Sequence, residues 1–202
     1  MWELVKAGGW LMLPLMLCSV FMLAISLERL IRLKRSNILP PDLLLQGDQN
    51  TQLVKDALHQ SPQLQDSALG RIFMAAEHSR LQSPEYARAQ MEAVASEEIT
   101  YLERNINFLG TLSAAAPLLG LLGTVLGIIE SFLILDLTTN SNPTLMIPGI
   151  SKALITTAVG MLIAIPALFA YRYFQRLVHE YIAVLEQQAT LFHAAYFYRK
   201  GE

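Results

Sequence analysis

Three stretches of the chain are apolar almost without interruption, at residues 10–27, 109–135 and 146–171. Each approaches or exceeds the roughly 20 residues that a helix needs to cross a bilayer. Outside them the pattern changes to a helical period. Met91, Ala95, Ile99, Leu102, Ile106 and Leu109 recur in steps of three and four and lead without a breaker into the second stretch. Phe174, Val178, Tyr181, Leu185, Ala189, Phe192 and Tyr196 carry the same stripe onward from the third. The pattern predicts an all-α integral membrane protein with three transmembrane helices. The second and third extend beyond the membrane as long helices of a bundle, whose stripes pack on each other and on Leu64, Leu69, Ile72 and Phe73.

Polar punctuation sets the organisation. Pro40-Pro41, Gly47 and Pro62 break the region from Ser36 to Ser67 into short helices and turns, and Ser83-Pro84-Glu85 reads as an N-cap followed by proline in the first helical turn. The first stretch exits through Glu28-Arg29-Leu30-Ile31-Arg32-Leu33-Lys34-Arg35, so Arg29, Arg32, Lys34 and Arg35 form a cytoplasmic anchor and a stop-transfer signal rather than a signal-peptide end. Arg104, Arg172 and Arg176 flank the other two spans, whereas the link from Asp136 to Ile147 has no lysine or arginine. The positive-inside rule then gives a periplasmic segment at 1–9, spans at 10–27, 109–135 and 146–171, and a periplasmic loop at 136–145. It assigns 28–108 and 172–202 to the cytoplasm.

Within the second and third spans, small and hydroxyl-bearing residues share one face. Ser113, Pro117, Gly120, Gly127 and Ser131 fall within about 60° of Thr124 at ~100° per residue. Ala153, Gly160, Ala164 and Tyr171 fall within about 60° of Thr157, with Thr156 at the edge. Such stripes either let helices approach closely or line a cavity. Pro117 and Pro166 are expected to kink the two helices and to free the carbonyls of Ser113 and Leu162, which tilts the reading toward a cavity. Lys152 and Glu130 lie well off the two stripes, and the cost of a buried charge places them near the outer membrane boundary.

Composition agrees with a membrane protein and removes several alternatives. The 202 residues are 53% hydrophobic and 16% charged, against roughly 25% charged in a soluble domain. A net charge of -2 without a basic stripe gives no footprint for nucleic acid. Cys18 is a single cysteine inside an apolar run and reads as packing. His59, His78, His179 and His193 are scattered, with no metal-ligand spacing, and neither a phosphate loop nor a nucleophile with a nearby base is present. No motif calls for a cofactor, a metal or an enzymatic activity.

The segments Ala116 to Phe132 (APLLGLLGTVLGIIESF) and Pro148 to Phe174 (PGISKALITTAVGMLIAIPALFAYRYF) resemble the paired signature of the ExbB, TolQ and MotA proton-channel family, in its shorter three-span ExbB/TolQ branch. The resemblance implies a ring-forming bacterial inner-membrane subunit, a homopentamer around single-span ExbD-like or TolR-like partners that carry an ion-binding aspartate. Proton motive force would be passed to a TonB-like or TolA-like protein, for outer-membrane transport or, in a Tol-Pal type complex, for envelope maintenance. By the same resemblance Thr124 and Thr157, with Thr156 beside them, match the family's polar pore positions, and Gly120, Gly127, Ser131 and Gly160 share their face. Lys152 departs from the glutamate that many relatives carry. A passive membrane scaffold, in which the stripes only pack helices, is the competing class.

Overall fold

The computed structural model describes residues 8–45, 51–137 and 143–198. Most of the expected segment at 1–9 and the middle of the expected loop at 136–145 lie outside the described residues. The helices are α1 (Met12–Arg32), α2 (Arg35–Ile38), α3 (Thr51–Gln60), α4 (Pro62–Gln65), α5 (Ala68–His78), α6 (Pro84–Glu103), α7 (Ile106–Leu137) and α8 (Ile147–Phe197). Single 3₁₀ turns stand at Pro41–Leu43 and Pro143–Met146. Three helical stretches are long and apolar enough to cross a membrane. Their apolar parts lie in α1, α7 and α8.

The chain divides into two compact units, one of residues 1–28 and 105–173, the other of 29–104 and 174–202. Two of the three apolar helices behave differently at the boundary. The third runs on as one helix to Phe197. The second does not join the helix before it: α6 ends at Glu103, Arg104 is extended, and Asn105 has a φ of 61°. The unbroken apolar period from Met91 to Leu109 had suggested one continuous helix. Asparagine tolerates the left-handed conformation, and its side-chain amide donates to the Glu28 carboxylate at 3.2 Å. Apolar periodicity does not register a single left-handed residue.

In the 29–104/174–202 unit the expected stripes form the core. Leu69, Ile72 and Phe73 of α5 are fully buried, as are Val178, Leu185 and Phe192 of α8. Phe73 stacks on Phe192 with ring centroids 4.1 Å apart. Side chains also tie this part of α8 to loop backbone. The Tyr181 hydroxyl donates to the Leu33 carbonyl at 2.9 Å, and the Gln188 amide both accepts from Leu45 N–H at 2.7 Å and donates to its carbonyl at 3.3 Å. Those loop groups have no helix or sheet ladder to satisfy them, so the α8 side chains take that place. Ser83 caps α6, its hydroxyl accepting from Tyr86 N–H at 3.2 Å. Lys55 of α3 lies 3.8 Å above the Tyr196 ring, where burial pushes its ammonium below the ordinary lysine range.

Arg29 stands apart from the basic cluster around it. Arg32, Lys34 and Arg35 are exposed, whereas Arg29 is 1% exposed, with its guanidinium donating to the carbonyls of Tyr101 and Leu102 at 3.4 and 3.3 Å. Those carbonyls belong to the last turn of α6, where a helix leaves acceptors unpaired and its dipole favours a cation.

Candidate functional site

The candidate site is built where α7 and α8 cross the 1–28/105–173 unit side by side. No hydrophobic force drives two apolar helices together in lipid, so their association depends on close packing and on polar contacts between them. The stripe of small residues supplies both. A Cβ added at Gly120 would stand 3.0 Å from the Thr157 Cα, and one at Gly127 would stand 2.8 Å from the Ala153 Cβ and 2.9 Å from the Gly149 carbonyl. At Gly160 it would stand 2.6 Å from the Ala116 carbonyl, and at Gly123 it would overlap the Thr156 side chain. The two backbones therefore approach closely along a seam that admits no side chain at these glycines.

Polar groups inside the seam are satisfied locally. Ser131 is fully buried, and its hydroxyl donates to the Gly127 carbonyl at 2.8 Å with Met146 O at 3.3 Å. Thr156 is 1% exposed and donates to Ala153 O at 2.8 Å. Gly120, Gly127, Gly160, Ser131 and Thr156 thus occupy the interface between α7 and α8. Pro117 and Pro166 lie inside α7 and α8, each of which continues through its proline as one helix.

The seam has two unlike edges. On one, Thr124 and Thr157 are half-buried. Thr157 Oγ1 reaches across the seam to donate to the Gly120 carbonyl at 2.9 Å, and Thr124 Oγ1 donates to the Leu121 carbonyl at 2.6 Å. A hydroxyl carries one proton and two lone pairs. With both protons committed to backbone carbonyls, this edge presents acceptor oxygens. Such oxygens suit a protonated acid or a hydrated cation better than a bare carboxylate, which would require each hydroxyl to leave its carbonyl.

On the other edge α7 and α8 carry a charge pair. Lys152 Nζ meets Glu130 Oε2 at 2.7 Å, and the lysine stem lies over Gly9, whose φ is 73°. Periodicity treats Lys152 and Glu130 as separate interfacial charges. Their pairing was nonetheless available from the sequence, because the helices joined by a short link are antiparallel and both residues lie about 120–140° from their threonines in the same rotational sense. The same edge receives α1: Met12 and Leu15 cluster with Ala116, Ile163 and Ala164, with Cys18, Leu119 and Val159 packed against them. Among the described residues no group of three histidine, cysteine or acidic side chains could hold a metal ion.

Comparison with known proteins agrees with this architecture. The model of the MotA/TolQ/ExbB proton channel family matches residues 62–187. A protein of Synechocystis sp. described as ExbB-like 1 is 38% identical over 176 residues, which cover 82% of this chain and 66% of that protein. ExbB-like 3 of the same organism is 32% identical over 189 residues, 90% of this chain and 88% of that protein. The Tol-Pal system protein TolQ of Pseudomonas aeruginosa is 36% identical over 144 residues, 63% of this chain and 62% of that protein. With three apolar helices long enough to span a bilayer, this is a multi-pass membrane protein. It is a member of the MotA/TolQ/ExbB proton channel family.

Proposed function

We propose that the chain is the ring-forming subunit of an ExbB-ExbD type motor in a bacterial inner membrane, with its N-terminus in the periplasm and its C-terminus in the cytoplasm. Copies of it, five by the family resemblance, surround an ExbD-like or TolR-like single-span subunit whose aspartate carries the ion. Thr124 and Thr157 face that aspartate, and Gly120, Gly127, Gly160, Ser131 and Thr156 form the close-packed backing that holds them in place. Proton flow past this edge energises a TonB-like protein for outer-membrane transport. The observation that carries the reading is the threonine edge, where two hydroxyls with engaged protons offer lone pairs on the side away from α1. A protonated carboxylic acid can donate to such an oxygen, and it carries no charge to be desolvated in the membrane.

A Tol-Pal type envelope complex is the second reading, favoured by the similarity to TolQ. The test is co-expression of the full chain with the single-span partner, followed by the mass of the detergent-solubilised complex and by proton-gradient-driven activity in vesicles. A multimeric ring with bound partner that loses activity in Thr157→Val and keeps it in Thr157→Ser supports the proposal. A monomer, or full activity in Thr157→Val, refutes it.

A further inference from the structure

The 29–104/174–202 unit holds a cavity of about 790 Å³ that the motor reading does not use. Its volume falls in the range of small-molecule sites. The wall carries charges of both signs, some paired with each other and some not. Arg71 is matched, its guanidinium 2.8 Å from the buried Glu98 carboxylate. Arg32, from the last turn of α1, shares a hydrogen bond with the Tyr101 hydroxyl. Arg104 has neither an ion pair nor a hydrogen bond among the described residues, and the same holds for the Glu97 and Asp66 side chains. All three are exposed, so the wall offers an unengaged cation and unengaged carboxylates together.

Position along the chain narrows the ligand. Arg32 closes α1, one of the three apolar helices, and Arg104 stands two residues before α7, another of them. Lipid phosphates lie at the ends of membrane-spanning helices, and a guanidinium binds phosphate through paired N–H donors. A phosphate alone would be repelled by Glu97 and Asp66. A ligand that also carries a primary ammonium satisfies both signs, with its phosphate toward Arg32 and Arg104 and its ammonium toward the carboxylates. We propose that the cavity is a binding site for a phosphoethanolamine group, supplied either as a phospholipid headgroup or as the free soluble molecule. The apolar stretch of wall at Ile38, Ala68 and Leu102 gives room for the glycerol end of a lipid.

The experiment is native mass spectrometry of the full-length protein in its solubilised oligomer, titrated separately with phosphatidylethanolamine, phosphatidylglycerol, phosphatidylcholine and free phosphoethanolamine. Expected is retention of phosphatidylethanolamine in preference to the other two lipids. Arg104→Gln should lower that retention about tenfold, the order of one charge-assisted hydrogen bond. Glu97→Gln should remove the preference over phosphatidylglycerol, while Arg176→Gln, which alters an exposed pair outside the cavity wall, should change neither quantity. Competition by free phosphoethanolamine identifies the soluble molecule as the source, and its failure to compete identifies the lipid. Equal retention of all three lipids, no binding in either form, or binding unchanged in both Arg104→Gln and Glu97→Gln overturns the assignment. Displacement of the lipid on assembly, with a second copy covering the cavity, does so too.

Discussion

The two edges of the α7–α8 seam are made from the same two helices, yet they finish with opposite chemistry. One edge is closed on itself: Lys152 is neutralised by Glu130, and the apolar side chains of α1 cover what lies beside the pair. The other carries two hydroxyls that have given up their protons to backbone carbonyls. The difference shows that a polar group in a membrane helix becomes available to a ligand according to what its neighbours have already used. The charged residues, conspicuous in the sequence, are matched within the chain. The uncharged threonines keep unused capacity.

Substitutions can break this contrast, beginning with the seam that both edges share. Gly127→Leu drives a side chain against Ala153 and the Gly149 carbonyl, and backbone cannot yield as a side chain does. The expected cost is about 3 kcal/mol, measured as loss of a single helical species in size-exclusion chromatography and circular dichroism. A folded, active Gly127→Leu protein would show that the helices do not touch there.

Thr157→Val keeps the shape and deletes one hydrogen bond between helices, for a stability loss of about 1 kcal/mol. Gradient-driven activity should fall at least about tenfold, the equivalent of ~1.4 kcal/mol in a barrier. Only the excess of the activity loss over the stability loss marks a pathway residue. Thr124→Val deletes a bond within one helix, so unfolding should shift by less than about 0.5 kcal/mol, again with a disproportionate loss of activity. The smallest effects belong to the closed edge. Lys152→Met and Glu130→Gln should each change stability by only about 0.2–1 kcal/mol, and their double mutant should be no worse than either. Activity should persist in all three, and a loss as deep as that of Thr157→Val would move the pathway to the charged edge.

Much of this architecture was legible in the residues. Apolar runs mark the membrane helices, and the stripe from Phe174 to Tyr196 marks the face that α8 buries. The glycines and threonines were also visible as one stripe. Their division into seam and edge was not, because a helical wheel gives direction without saying which neighbour stands there. Thr156 and Thr157 are adjacent in the chain, but one is sealed between helices and the other reaches across the seam. Arg29 illustrates the same limit. Its surroundings in the sequence read as a membrane anchor, while its burial depends on carbonyls more than seventy residues away. The break at Asn105 escapes periodicity for a different reason: one left-handed residue reorients the chain without altering which positions are apolar.

That break also sets apart two ways in which the chain continues from an apolar helix. α8 is a single helix of 51 residues, about 75 Å long at 1.5 Å per residue. Every turn of it is stitched to the turn before by backbone hydrogen bonds, apart from the one that Pro166 removes. A ladder of this kind leaves no free backbone torsion between Thr157 and Tyr196, so neither end of the stretch can turn without straining hydrogen bonds. α6 and α7 are coupled instead through Arg104 and Asn105, which are not part of a helix. There the ladder is interrupted, and the backbone torsions of two residues are not held by helical hydrogen bonds.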